Sequence, residues 1–279
     1  MPDAANIGIL QDLTCIAGLA LFLGLIGYRW LRLVRPHAAW NHDGLVISRP
    51  YTDVDLVVMT ASLALLLSSV MKPVEQAAGG DPLPDAGMIG LAMLVNLMFC
   101  ALLLIYLHQI RGLNPAELFG FDLIRRGRRV LRAVLLFYVP MLVIVSLVAQ
   151  WMSGWLQNIA PGPPEQELVR VFQTAEGTGL RVMIVLAAVV IAPLAEEIMF
   201  RGFVYGVLKR YTDAPFAAIL SGLFFAIIHM HIGSLVPLWV LAVIFCIAYE
   251  ITGCLLVPML LHAAFNGTSI VVMLLGAGQ

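Results

Sequence analysis

An all-α, polytopic membrane helix bundle is the fold that this 279-residue sequence predicts, and three observations predict it. Hydrophobic residues make up 61% and charged residues 12%, against roughly 45–50% and 25% in soluble domains. Mean hydropathy is +0.94. Apolar runs of spanning length, roughly 20 residues each, recur along the chain near 8–28, 55–71, 88–108, 133–152, 181–200, 215–232, 235–251 and 255–275. They predict about eight transmembrane helices. Only MHIGSL and EITGC separate the last three runs, so seven spans plus a re-entrant piece is the alternative there.

Basic residues orient the bundle by the positive-inside rule. Arg29, Arg32, Arg35 and Arg49 follow the first run, Arg111, Arg125, Arg126, Arg128, Arg129 and Arg132 the third, and Arg201, Lys209 and Arg210 the fifth. The opposite side receives Lys72, Arg170 and Arg181. Odd-numbered connections are therefore expected in the cytoplasm and both termini outside, with Lys209 and Arg210 as an anchor. The start MPDAANIGIL has an acid and no basic n-region, so the first run reads as a retained helix rather than a cleaved signal. The chain divides into 1–180, N-terminal helices with basic cytoplasmic loops, and 181–279, where the chemistry gathers.

A formal net charge of −1 argues neither for nor against nucleic acid. RRGRR at 125–129 precedes a helix expected near Ala133 and reads as an anchor touching anionic lipid, so lipid is an expected partner and nucleic acid is not. NPAELFGFDLI mixes apolar and acidic residues after a turn-like Asn-Pro, which suits a short interfacial helix. Cys15, Cys100, Cys246 and Cys254 form no CxxC pair and no zinc spacing, and read as small buried apolar residues. The Pro/Gly-rich connection at 153–180 reads as a solvated outer loop.

AEEIMFRGF, residues 195–203, is the anomaly. A charge at the centre of a membrane helix is disfavoured by about 2.5–3.5 kcal/mol even on mild scales, so partners are required. Glu197 and Arg201 stand at i and i+4, the spacing of an ion pair, whereas Glu196 is turned about 100° away and needs a polar partner on another helix. Two pairs qualify. FFAIIHM places Phe225 and His229 on one face, beside a small-residue stripe of Ala218, Gly222 and Ala226 that admits a close neighbour; HAAFN places His262 and Asn266 one turn apart. Counted at 1.5 Å per residue, all three helices bring these residues towards mid-membrane. Pro193 and Pro258 are expected to bend their helices there and free a backbone carbonyl.

The ordered trio EExxxR (Glu196, Glu197, Arg201), FxxxH (Phe225, His229) and HxxxN (His262, Asn266) resembles the CPBP, or Abi, family of intramembrane proteases, which takes in type II CAAX prenyl endopeptidases and proteins linked to bacteriocin self-immunity. The resemblance covers about residues 181–275. It implies a membrane endopeptidase in which Glu196 and His229 activate a water for attack on a peptide carbonyl while His262 and Asn266 donate hydrogen bonds to the oxyanion. The residue reading agrees with that division, since Glu196 is the glutamate not committed to Arg201. Members of the family are described both as metalloproteases and as glutamate-dependent enzymes. Glu196, His229 and His262 are the set that would hold zinc with an open position, but the HExxH of zincins is absent, and water activation by Glu and His without metal is the expectation. GxSG and GxGD motifs of other intramembrane proteases are also absent.

The substrate implied is a peptide or protein, with CAAX-type processing one form of it, and the compact, weakly charged chain suits a bacterial inner membrane. Two other classes remain open at this point. One is a catalytically silent binding or bacteriocin-immunity protein. The other is a Glu/His proton-relay transporter, against which stands the lack of a second copy of the motifs in 1–150.

Overall fold

The computed structural model describes residues 26–30, 32–34, 44–78, 86–121, 123–157, 177–229 and 231–276, and every regular element among them is helical. Helix α1 is Asp53–Ala78; α2 is Ala86–Ile105, continued by a π-turn over Tyr106–Ile110; α3 is Pro115–Leu118; α4 is Leu123–Gln157. Helix α5 runs from Thr178 to Tyr211 without a break. Its pitch changes twice, because α-helical Thr178–Leu186, Ala192–Glu197 and Tyr205–Tyr211 are joined by π-turns at Ala187–Ile191 and Ile198–Val204. Helix α6 is Ala214–Ile228, α7 is Ile232–Thr252 and α8 is Leu256–Gly276.

Five helical stretches among the described residues have the length and composition to cross a membrane: Ala86–Ile110, Gly127–Leu156, Thr178–Tyr211, Ile232–Thr252 and Leu256–Leu275. The chain is an integral membrane protein, but the eight expected spans are only partly matched. The first, 8–28, lies outside the described residues apart from 26–28, and so do both termini, Cys15 and most of the 153–180 connection. The second falls within α1. The sixth stops early, because α6 has 15 residues and ends at Ile228. The basic run lies inside a helix rather than ahead of one, since α4 begins at Leu123 and carries exposed Arg128, Arg129 and Arg132.

Helix α7 is the hub of the bundle, packing on α6 and α4, while α8 packs on α4, α5 and α7. The small-residue stripe of α6 is where α7 closes in: a Cβ added at Gly222 would lie 3.2 Å from both Trp239 and Val243. The main core gathers on the second half of α5, where Phe200, Phe203 and Tyr205 meet Tyr51, Phe225, Cys246 and Tyr249. Met141, Val145, Leu241, Phe245, Val257 and Leu261 form a second seam between α4, α7 and α8. Leu131, Leu135, Leu136 and Val139 of α4 point outward, as a lipid-facing stripe requires.

Two local expectations need correction. Lys209 is not a solvated anchor but fully buried: its Nζ donates to Glu250 Oε1 at 2.7 Å and to the Val46 carbonyl at 3.0 Å. Glu250 also accepts the Tyr205 hydroxyl at 2.6 Å and the Val46 amide at 3.4 Å, so one ion pair clamps the segment before α1 onto α5 and α7. The NPAEL segment forms the expected short helix, N-capped by Asn114 on the Ala116 amide; Asn114, Ala116 and Glu117 are exposed, while Leu118 and Phe119 are buried and the Phe119 carbonyl accepts the Leu255 amide at 2.9 Å. Pro258 bends nothing, because it lies in the first turn of α8, where the missing N–H has no intrahelical partner to lose.

Removing one member of a buried ion pair leaves the other charge uncompensated. Lys209→Met is expected to lower stability by about 3 kcal/mol, and adding Glu250→Gln to recover most of the loss, as read from unfolding midpoints in detergent. A double variant no more stable than Lys209→Met would show that the two residues act independently.

Candidate active site

The AEEIMFRGF segment is the end of the Ala192–Glu197 stretch of α5 and the beginning of its second π-turn. The ion pair expected from its spacing is present and sealed: Arg201 Nη1 donates to Glu197 Oε1 at 2.9 Å with both side chains at 0% exposure. His262 of α8 donates its Nδ1–H to the same oxygen at 2.8 Å. The guanidinium lies between the rings of Phe225 on α6 and Phe245 on α7, 4.5 and 5.0 Å from their centroids. Arg201 Nε and Nη2 have no hydrogen-bond partner, and the aromatic faces add to the ion pair a contact worth about 2 kcal/mol when a cation–π contact is desolvated.

Glu196 stands apart from this pair. Its Oε2 is buried with no hydrogen-bond partner, and His262 Nε2 is 3.8 Å away, beyond direct reach. His262 thus sits between two carboxylates, bonded to Glu197 through one ring nitrogen and facing Glu196 with the other. Glu197 Oε2 is also buried without a partner. A buried acceptor left unpaired costs about 1–3 kcal/mol, and two such oxygens lie side by side in sequence.

His229 closes the C-terminus of α6. Its backbone N–H donates to Ala226 O, and its Nδ1 lies 2.7 Å from the Phe225 carbonyl. A carbonyl can only accept, so Nδ1 carries a proton and donates to it. Phe225 is the wall common to the cluster: its ring centroid is 4.6 Å from that of His229, 5.8 Å from His262 and 5.3 Å from Phe200. Asn266 lies one turn beyond His262 on α8, but its Nδ2 is given to the Ala188 carbonyl of α5 at 2.8 Å.

The six sequence-identified residues therefore fall into three groups. Glu197, Arg201 and His262 are bonded together, Glu196 with its unpartnered Oε2 and His229 stacked on the Phe225 ring border them, and Asn266 braces α5. Among the described residues no three of His, Cys, Asp and Glu gather as they would around a metal ion. No step is therefore assigned to a metal. Phe245 escaped the sequence reading, since an aromatic in an apolar helix carries no signal of its own. Phe225 was visible only as the first position of FxxxH.

The family resemblance of the three motifs is borne out by comparison with known proteins. Residues 178–268 match the family model described as type II CAAX prenyl endopeptidase Rce1-like. The chain is also 24% identical over 201 residues to a protein of Bacillus subtilis (strain 168) named "Putative membrane peptidase YdiL", an alignment covering 70% of this chain and 77% of that protein. No solved structure matches the chain at comparable stringency.

The two glutamates are expected to respond differently to truncation. Arg201→Ala strands Glu197 and is expected to remove about 3–5 kcal/mol of stability, whereas Glu196→Ala deletes a group with no hydrogen bond on its buried oxygen and should leave folded yield near that of the wild type. Monodisperse yield and melting temperature in detergent measure both; equal losses would refute the division.

Proposed function

We propose that this protein is an intramembrane endopeptidase in which Glu196 is the general base. The observation that carries the reading is the pair of unlike glutamates: Glu197 is consumed by Arg201 and His262, while Glu196 Oε2 is a buried acceptor with nothing to accept. Such an oxygen is available to a water or a substrate N–H. The match to a prenyl endopeptidase family and the peptidase name of the Bacillus relative support the same class of reaction.

In the proposed reaction, Glu196 takes a proton from water as the water oxygen attacks the scissile carbonyl carbon, with the free Nε2 of His229 accepting a hydrogen bond from the same water. The carbonyl π electrons move to oxygen, and the oxyanion is held by donors on α8. His262 would donate from Nε2 only as imidazolium, since its Nδ1–H already serves Glu197. Asn266 has a second amide N–H to offer besides the one on Ala188 O. Collapse of the tetrahedral intermediate breaks the C–N bond, and Glu196 returns the proton to the leaving amine. The buried, aromatic-walled setting strengthens each of these electrostatic terms. CAAX-type processing is the substrate form that the family description suggests, and a bacterial inner membrane is the setting that suits the composition.

Glu196→Gln and His229→Ala are each expected to lower cleavage by about 10²–10⁴-fold, with activity surviving a chelator. The assay is wild-type and variant protein in detergent against a quenched peptide library that includes a farnesylated CAAX peptide, so the products name the substrate class. Cleavage retained in Glu196→Gln would overturn the role given to that residue. A folded wild type that cleaves no peptide would favour the silent binding class instead.

A further inference from the structure

The stretch that carries both glutamates lies between two π-turns, and each turn is completed by side chains from outside α5. In a π-turn each N–H reaches the carbonyl five residues back rather than four: Ala192 N–H bonds Ala187 O, and Tyr205 N–H bonds Phe200 O. By that register residue 193 would serve Ala188 O, and residue 193 is proline, which has no N–H. Asn266 supplies the missing donor at 2.8 Å.

The second turn is served from two other directions. Ser221 Oγ of α6 donates to Phe200 O at 3.1 Å, and the Tyr51 hydroxyl, from the segment before α1, donates to Gly202 O at 2.8 Å. Both side chains are buried, so no solvent competes for these carbonyls. Tyr51 reaches its position because residue 206 is glycine: a Cβ there would lie 2.5 Å from Tyr51 Cε2. Gly202 is likewise tight, with Phe119 Cε1 3.0 Å from where its Cβ would be.

Register decides direction on a helix. One residue corresponds to about 100° of rotation, so relaxing either turn to α pitch would swing Glu196 and Glu197 by about that angle against the rest of α5 and carry Glu197 off His262. We propose that Tyr51, Ser221 and Asn266 are positioning residues that hold α5 in its π register and thereby aim the two glutamates into the site. The kinetic part of this proposal rests on the endopeptidase reading; the structural part does not.

The test uses full-length protein in detergent with Tyr51→Phe and Ser221→Ala, each of which removes one hydroxyl. Hydrogen–deuterium exchange of residues 197–206 is expected to rise about tenfold in each variant, with exchange in Ile232–Thr252 unchanged, and kcat for peptide cleavage to fall about tenfold at constant KM. Unchanged exchange at 197–206 in both variants would overturn the proposal. So would a uniform rise throughout the chain, which marks general destabilisation, or a loss confined to KM. A wild type that cleaves nothing removes the endopeptidase reading and leaves the exchange result to decide the register.

Discussion

The Glu197–Arg201 ion pair, closed off by two phenyl rings and shared with His262, is the constraint on which the arrangement of α5, α6, α7 and α8 turns. Removing two charges from water costs several kcal/mol per ion even after relaxation, and a chain that buries them must bring donors and aromatic faces from elsewhere. Phe225 comes from α6, Phe245 from α7 and His262 from α8. The demand for compensation thus assembles four helices around one guanidinium, and the surfaces left over at the edge of that cluster are Glu196 Oε2 and the outer nitrogen of His262. The groups left unpaired inherit their placement from the paired ones.

Much of this was legible in the sequence, for a physical reason. Membrane burial makes polar side chains rare, so EExxxR, FxxxH and HxxxN stand out against an apolar background, and the i, i+4 spacing of Glu197 and Arg201 survives into the structure as a direct bond. What stayed hidden depends on contacts between helices. That His262 bonds Glu197 rather than standing free follows from how α8 meets α5, which no spacing within one helix encodes. Lys209 misled because counting basic residues locates a segment and says nothing of burial; its partner Glu250 is on α7. The π-turns were invisible because reading a helix at 3.6 residues per turn assumes the pitch it sets out to find, although Pro193 was a hint that a carbonyl near it would need another donor.

The pitch changes set where the two glutamates point relative to the rest of α5. Glu196 and Glu197 share the α-helical Ala192–Glu197 stretch and differ from each other by the ordinary rotation of about 100°. Here one side of the pair is the brace between Asn266 and Ala188 O and the other is the turn held by Ser221 and Tyr51. Residues from three other parts of the chain thus act on a six-residue stretch. Backbone irregularity of this kind in a membrane is tolerated only where other protein groups take up the freed carbonyls, and each of the three carbonyls named has such a partner.

Comparing two of the buried ion-pair clusters among the described residues, Lys209–Glu250 and Glu197–Arg201, helps to separate structure from chemistry. Around Lys209 and Glu250 the account closes: the lysine has the carboxylate and a carbonyl, and the carboxylate has the lysine, a tyrosine hydroxyl and a backbone amide. Around Arg201 it does not, since Glu196 Oε2, Glu197 Oε2 and two guanidinium nitrogens are buried without hydrogen bonds. A cluster kept only to join helices gains nothing from unmet groups, each of which subtracts from stability. Unmet groups are retained where another molecule completes them, and a peptide carbonyl with its attacking water brings the complementary donors and acceptors. By that criterion the cluster at α5, α6 and α8 is the better candidate for the proposed chemistry, and the one at Lys209 joins helices.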